Sequence, residues 1–263
     1  MKAENNKFVQ TTNAKLELSA VLISLNEEAN IARAIRSVEG LVSEVLVYDS
    51  GSKDKTCEIA AKMGAKVVSG DWLGFGPSKR HASSLAKNDW ILSLDCDEEV
   101  STELANELRQ KFATLEPEKA YRFPRLSRYL KTWIRHGGWY PDYQVRLFNR
   151  REANWNTAQI HEKVEAKVYE TFTCCLNHYV FKNIEHQVAT NNKYSTLQAE
   201  QMFASGKKFS WFHFLTKPTV KFVECYFLKL GFLDSWAGFV IARSAAYSVF
   251  LKWAKLRERE KQL

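Results

Sequence analysis

The chain predicts a mostly parallel α/β sheet with helices on both faces, followed by a helical C-terminal region rich in aromatic and basic residues. Three observations predict it. Short apolar runs alternate with amphipathic, helix-capped stretches over the first hundred residues. The last of those runs, Trp90-Ile91-Leu92-Ser93-Leu94, ends abruptly in Asp95-Cys96-Asp97-Glu98. From about Asn191 the texture becomes helical, and from Phe209 to Lys255 it is dense in Phe, Trp, Tyr and Leu, interrupted every few residues by Lys or Arg.

The polar stretch before residue 17 reads as a flexible tail without the apolar core of a signal peptide. Leu18 to Ser24 is an apolar run of strand length. Asn26 to Val38 carries Ile31, Ala34, Ile35 and Val38 on one helical face. Glu44 to Asp49 is a second strand, and Ser50-Gly51-Ser52-Lys53-Asp54 a turn leading into a helix to Met63. Gly64 to Val68 is a short third strand. A glycine-rich loop precedes a helix over Ser78 to Ala86, and the fourth strand ends at Asp95. Tyr121 to Phe123 and Gln144 to Phe148 are later strands, separated by a Trp/Tyr/Arg-rich loop around His136 to Tyr140. The expected division is a tail (1–16), an α/β domain (17–190) and a helical region (191–263).

Composition narrows the partners. With 263 residues, 45% hydrophobic and 13% aromatic, the chain can bury a real core. The formal charge of +8 is uneven. Residues 206–263 hold 11 Lys/Arg against 4 Asp/Glu, and residues 120–150 hold 7 against the single acid Asp142. Such a protein meets an anionic surface or a phosphorylated substrate. No nucleic-acid-binding motif is present, so nucleic acid is not expected. Five cysteines without a C-x-x-C spacing argue against a zinc site or disulfide framework and fit a reducing compartment. No apolar stretch reaches the ~18 residues of a spanning helix.

Asp95 and Asp97 sit at the C-terminal end of a buried strand, where open α/β sheets bind ligands. Two carboxylates there suit a hard divalent cation that arrives with a diphosphate, although a solvated strand end is the plain alternative. No G-x-G-x-x-G follows the first strand; Ser24-Leu25-Asn26-Glu27 stands there, favouring a nucleotide-sugar over a dinucleotide. Asp49, with Ser50 and Gly51, ends the second strand, where an acid can accept hydrogen bonds from a base or ribose. Lys79 or Arg80 could offset diphosphate charge. Glu162 is a candidate general base, with Asp142 its competitor, and His161 a candidate metal ligand or phosphate contact. The aromatic and basic residues of the C-terminal stretch read as helices lying in an anionic membrane interface, with core packing or a homo-oligomer contact as the alternatives.

The segments LSAVLISLNEE (18–28), VYDSGSKDKT (47–56), DWLGFGPSK (71–79) and WILSLDCDE (90–98) resemble a family 2 glycosyltransferase with the GT-A, Rossmann-like fold. WIRHGGWYPDYQVRLF (133–148), IHEKV (160–164), NKYSTLQA (192–199) and GFLDSW (231–236) resemble bacterial lipopolysaccharide core β-1,4-glucosyltransferases. The resemblance implies inverting transfer from a UDP-sugar, UDP-glucose by preference, with Mg2+ or Mn2+, to a lipopolysaccharide inner-core acceptor. It places Asp49 on uracil, Lys79 toward the nucleotide and Asp95 on ribose; Ser24, Asn26, Glu27, Ser50 and Gly51, at the same strand ends, are further candidate donor contacts. It places Asp97 at the metal, where Asp95 and His161 are further candidate ligands, and Glu162 as the catalytic acid. The basic loop, with Arg135, His136, Trp139, Tyr140 and Arg146, is then expected to hold the acceptor. A cytoplasmic enzyme, peripheral on the inner face of the bacterial inner membrane, fits this set. Another lipid-linked or polysaccharide acceptor is an alternative, as are a nucleotidyltransferase and a non-catalytic membrane-binding module.

Overall fold

The sheet is built around β1 (Leu16–Ser24), in which Leu18, Ala20, Val21 and Leu22 are almost wholly buried. A strand flanked by neighbours and covered on both faces has no solvent side, so its sequence is nearly continuous in apolar residues. Each fully buried Leu or Val side chain contributes roughly 1.5–3 kcal/mol. The structure, a computed structural model, describes residues 14–158 and 162–261. His161 lies outside the described residues.

Two compact units divide the chain. They do not follow a single cut near residue 190. The first takes in residues up to Arg122 and returns for Val145–Thr171; the second comprises Phe123–Gln144 and Phe172–Leu263. The division falls inside two strands, β6 (Lys119–Tyr129) and β8 (Asp142–Asn149).

In the first unit β1 is followed by α1 (Ile31–Val38), β2 (Val42–Asp49), α2 (Thr56–Lys62), β3 (Lys66–Ser69), α3 (Phe75–Ser84), β4 (Trp90–Asp95), β5 (Glu98–Val100) and α4 (Thr102–Lys111). The strand order is β3-β2-β1-β4-β8. The first four are parallel, and β8 joins antiparallel, pairing Leu92 with Leu147. Register carries the functional consequence. Ser24 lies opposite Asp49 and Ile23 opposite Asp95, so the C-terminal ends of β1, β2 and β4 share one edge. Ile31, Ala34, Ile35 and Val38 are the buried face of α1, as their spacing predicts. That helix starts at Ile31 rather than Asn26, because residues 26–28 are tied to the loop after β2. Ser101 caps α4, its Oγ accepting from Leu104 N at 3.1 Å. Two short strands, β9 (Asn154–Trp155) and β10 (Val164–Glu165), pair with each other, and β11 (Val168–Thr171) pairs with residues 119–122 of β6.

The second unit contains the remainder of β6, which pairs with β7 (Thr132–Ile134) and β12 (Leu176–His178), and three helices. These are α5 (Ile184–Ala204), α6 (Trp211–Val223) and α7 (Ser235–Lys261). Asn183 and Ser210 cap α5 and α6 through their side-chain oxygens. A π turn (Glu224–Leu228) and a 3-10 turn (Gly231–Asp234) join α6 to α7. A small core of Tyr129, Ile134, Ala237 and Ile241 forms here, with Trp139 and Phe181 packed on it. The contrast is α6, none of whose side chains is buried. Among the described residues no single helix is long and apolar enough to cross a membrane. Trp211–Leu228 and Gly231–Lys261, bent by 73°, pass that test together by length and composition only.

Candidate active site

Two loops at the strand ends are stitched together by hydrogen bonds. Ser24 Oγ donates to Asp49 Oδ1 at 2.8 Å, Asn26 N to Ser52 Oγ at 2.8 Å, and Glu27 N to Thr56 Oγ1 at 2.8 Å. Glu28 N donates to Asp54, Lys53 N to Asn26 Oδ1, and Lys55 N to Glu28. Asn26 takes a left-handed conformation, φ 57°, which asparagine tolerates better than most residues. Asp49 is buried and accepts from Ser24 Oγ, Ser52 Oγ, Gly51 N and Ser52 N. Burial alone would raise its pKa; hydrogen bonds from Ser52, Ser24 and Cys57 outweigh burial and hold it below the ordinary carboxylate value. A carboxylate has about four lone-pair sites, and here Ser24 Oγ, Ser52 Oγ, Gly51 N and Ser52 N take them up, with the Cys57 thiol also donating. Asp49 thus organises the Ser50–Ser52 turn, and reading a nucleobase would require it to exchange one of these partners. Ser52 Oγ, which donates to Asp49 at 2.5 Å, is the partner with a rotatable hydroxyl.

The end of β4 carries the densest charge cluster. Lys79, 3% exposed, places Nζ 2.8 Å from Asp95 Oδ1 and 3.2 Å from Glu162 Oε1. The same ammonium lies 4.5 Å from the ring centroid of Trp155, a cation–π contact. Arg146 from β8 reaches the other oxygen of Asp95 at 2.5 Å and grips Glu98 with Nε at 2.9 Å and Nη2 at 2.7 Å. Burial would lower the Arg146 pKa, but Asp95, Glu98 and then Asp97 hold it above its usual value. Cys96, between the aspartates, is turned inward, donating to Ile23 O at 3.2 Å. Burial, and after it the surrounding carboxylates, push its thiol up, so it stays protonated and inert.

Sequence dictates this convergence through Gly76. A Cβ at that position would lie 2.5 Å from Asn156 O and 2.8 Å from Ala158 O. Only glycine lets the start of α3 pack against the 156–158 backbone, which brings Lys79 one turn later to Glu162. Arg80 secures the same contact, donating to Trp155 O at 2.9 Å.

The structure therefore joins Lys79, Asp95 and Glu162 as expected and adds Glu98 and Trp155. It corrects Arg146, which is a buried partner of Asp95 and Glu98 rather than an exposed contact for an acceptor. Glu98 was missed because nothing local marks it; its partner is 48 residues away. Asp97 is half-buried in the turn after β4. Among the described residues no three His, Cys, Asp or Glu side chains form a metal site. The donor set fits a hard cation only when phosphate oxygens supply most of its ligands, with Asp97 as the protein carboxylate. Charge balance agrees: Lys79 and Arg146 face Asp95, Asp97, Glu98 and Glu162, an excess of two negative charges. Two buried polar atoms of this unit, Ser50 Oγ and Trp155 Nε1, have no hydrogen-bond partner among the described residues; a bound ligand could supply one.

In the second unit the basic loop is anchored by Asp234 of the GFLDSW segment. Its carboxylate accepts from Arg135 N at 3.2 Å, His136 N at 2.8 Å and pairs with His136 Nδ1 at 2.9 Å. Trp139 packs against Tyr129 and Phe181, so it belongs to the core rather than to a ligand surface. Tyr140 lies 3.4 Å from Cys175 Sγ, and that contact, then burial, pushes its phenol up to about 12. Arg135 is exposed, with its guanidinium 5.9 Å from the Tyr140 ring centroid. Asp142 has both oxygens engaged, Oδ2 by Arg125 at 2.9 and 2.6 Å and Oδ1 by Gln144 at 2.8 Å.

Comparison with known proteins follows the same lines. The family described as Glycosyl transferase family 2 matches residues 19–183. A protein of Rickettsia felis named an uncharacterized glycosyltransferase is 36% identical over 260 residues, covering 92% of this chain and 90% of that one. The lipopolysaccharide core biosynthesis glycosyltransferase LpsC of Rhizobium meliloti is 28% identical over 258 residues, 93% of each chain. Among solved structures, glucosyl-3-phosphoglycerate synthase from Mycobacterium tuberculosis, in complex with Mn2+, UDP and glucosyl-3-phosphoglycerate, is similar at 31% identity over 40% of this chain and 44% of that chain, with a TM-score of 0.34.

Proposed function

Since the chain belongs to glycosyl transferase family 2 and has the GT-A fold of that family, we propose that it moves a hexose, glucose by preference, from a UDP-sugar to a lipopolysaccharide inner-core acceptor with inversion. The enzyme class follows from the family. The acceptor class is supported by the likeness to LpsC along 93% of each chain. The observation that carries the reaction is Lys79 bridging Asp95 and Glu162. It sets a carboxylate that can take a proton beside the strand end at which α/β sheets hold nucleotides.

The reaction is a single displacement. The acceptor oxygen forms its bond to the anomeric carbon, the bond from that carbon to the diphosphate breaks, and the hydroxyl proton passes to Glu162. UDP leaves with the bonding pair. A divalent cation, held by Asp97 and the phosphate oxygens, would neutralise charge on the leaving diphosphate. Lys79 holds Glu162 in position, Arg146 and Glu98 fix Asp95, and the stitched loops fix the turn after Asp49. Glu162 is preferred to Asp142 as base because it shares this cluster, whereas Asp142 is committed to Arg125 and Gln144. Of the basic loop, Arg135 is retained as an acceptor contact, since its guanidinium is exposed.

We place the enzyme on the inner face of the bacterial inner membrane, a reading supported by the bare apolar surface of α6 and its basic neighbours. The test of function is UDP release from a panel of UDP-sugars with and without Mn2+, together with UDP binding by calorimetry. Release of UDP from UDP-glucose only when an inner-core acceptor is present supports the assignment. Pyrophosphate as product, or no UDP binding at all, sinks it.

A further inference from the structure

The loop between β3 and α3 carries large aromatic side chains that the core leaves uncovered. Trp72 and Phe75 are 45% and 50% exposed. Their rings meet edge to face, with centroids 4.8 Å apart and planes at 89°. In that arrangement only one ring lends its face to the contact, and the ring that offers its edge keeps both faces clear of its neighbour.

Local structure fixes this pair in place. A Cβ at Gly70 would lie 2.3 Å from Tyr48 Oη, so only glycine lets the chain leave β3 over that phenol, which donates to Asp71 O at 2.8 Å. Leu73 N donates to Ser78 Oγ at 3.1 Å, and Gly74, φ 101°, turns the chain into α3. Phe75 is the first residue of that helix, and Lys79 and Ala82, four and seven positions on, share its face. Both are buried, whereas Phe75 is not. The difference is one of height. Lys79 reaches the end of β4 at Asp95. Phe75 stands about 6 Å further along the helix axis, past the end of the sheet on which the rest of this face packs.

The neighbours of Phe75 identify the occupant. A Cβ at Gly76, the next residue, would lie 3.2 Å from Glu162 Cβ, and Lys79 Nζ holds Glu162 Oε1 at 3.2 Å. A molecule resting on Phe75 is therefore beside the carboxylate assigned to take the acceptor's proton. A pyranose ring has a face of C–H groups and a rim of hydroxyls. An aromatic surface covers that face, the negative π cloud attracting its polarised hydrogens, and leaves the rim free to meet a base. Uracil is flat as well, but it brings no hydroxyl to Glu162. We propose that Trp72 and Phe75 form the stacking platform for the acceptor sugar, holding its ring so that one hydroxyl meets Glu162. This rests on the reading of Glu162 as the proton acceptor in transfer to an inner-core sugar.

The test uses the full chain, UDP-glucose with Mn2+, and delipidated inner-core oligosaccharide as the acceptor. Phe75→Ala, Trp72→Ala and Phe75→Tyr are compared with Leu73→Ala, a control at a side chain 45% exposed in the same loop. Circular dichroism melting confirms that all of them fold. UDP release gives acceptor KM and kcat, and calorimetry gives UDP affinity. Saturation-transfer NMR with UDP and Mn2+ reports binding of the oligosaccharide whether or not it reacts. The expected result is an acceptor KM raised on the order of tenfold by Phe75→Ala and less by Trp72→Ala, with UDP affinity kept. Phe75→Tyr returns the wild-type value, and Leu73→Ala shifts it by less than about twofold. An unaltered acceptor KM in Phe75→Ala, or an equal rise in Leu73→Ala, overturns the platform and leaves the acceptor class standing. A parallel loss of UDP affinity in Phe75→Ala reassigns the rings to the nucleobase and overturns it too. A wild-type chain that binds UDP but neither binds nor glycosylates the oligosaccharide overturns the acceptor class and the platform together. Saturation transfer without turnover, abolished by Phe75→Ala, keeps the platform and overturns the proposed transfer instead.

Discussion

The strand-end cluster of the first unit and the α6–α7 region of the second handle charge and apolar surface in opposite ways. Around Asp95 the cations are buried and paired: Lys79 and Arg146 have side chains 4% exposed and each touches two carboxylates. Apolar side chains there are inside the sheet. Along α6 no side chain is buried, and the lysines crowd one another around a single acid. A charge cluster locked by its own partners is built to hold geometry. The lysines around α6 have no such lock: Lys221 shares Glu224 with Lys229, and apolar side chains of that helix stay exposed. The first arrangement suits chemistry that needs fixed groups.

Substitutions can break this contrast. The largest effect is expected for Glu162→Gln, which keeps the shape but removes the proton acceptor. Transfer measured by UDP release should fall by about 100- to 10,000-fold, with UDP binding retained. A variant within tenfold of wild type would shift the base to another acid. Arg146→Met comes next. It leaves Glu98 buried without its partner, and breaking a buried pair costs about 3–5 kcal/mol, read as a lower midpoint in urea unfolding. An unchanged midpoint would mean that the pair does not hold the end of β4.

A smaller effect concerns acid. Asp49 titrates below its unfolded value, so its contribution to stability is complete above the ordinary carboxylate pKa of about 4. It is lost as pH falls through the lower folded value. Asp49→Asn should therefore flatten the acid limb of a stability-versus-pH curve, and the two proteins should converge at the acid end. The smallest effect is for Phe212→Ser on α6. With that ring 70% exposed, folding stability should change by less than about 0.5 kcal/mol. A large loss would show α6 to be covered and would dissolve the contrast.

How far the sequence revealed all this depended on whether the determining contacts were local. β1, β2 and β4 were legible because strands buried on both faces read as apolar runs. β6 was read as three residues but spans eleven, Lys119–Tyr129. Pro124 looks like a strand breaker, yet it sits between the ladder to β11, which ends at Arg122, and the ladder to β12, which starts at Arg125. Lys79, Asp95 and Glu162 could be nominated because motif order placed them, and the structure brings them together. Arg146 was misassigned because a net count of charge over residues 120–150 cannot say which cation turns inward. Its partners are 48 and 51 residues away. Trp139 failed likewise, since an aromatic in a basic loop looks the same whether it packs on Phe181 or faces a ligand.

The stitched loops have a consequence for inheritance and for engineering. Residues 24–28 and 49–56 exchange backbone donors and side-chain acceptors in both directions. Neither segment can be exchanged for another enzyme's without stranding partners on the other. They should drift as one cassette among descendants of this chain, and grafts aimed at a new donor will have to carry both halves.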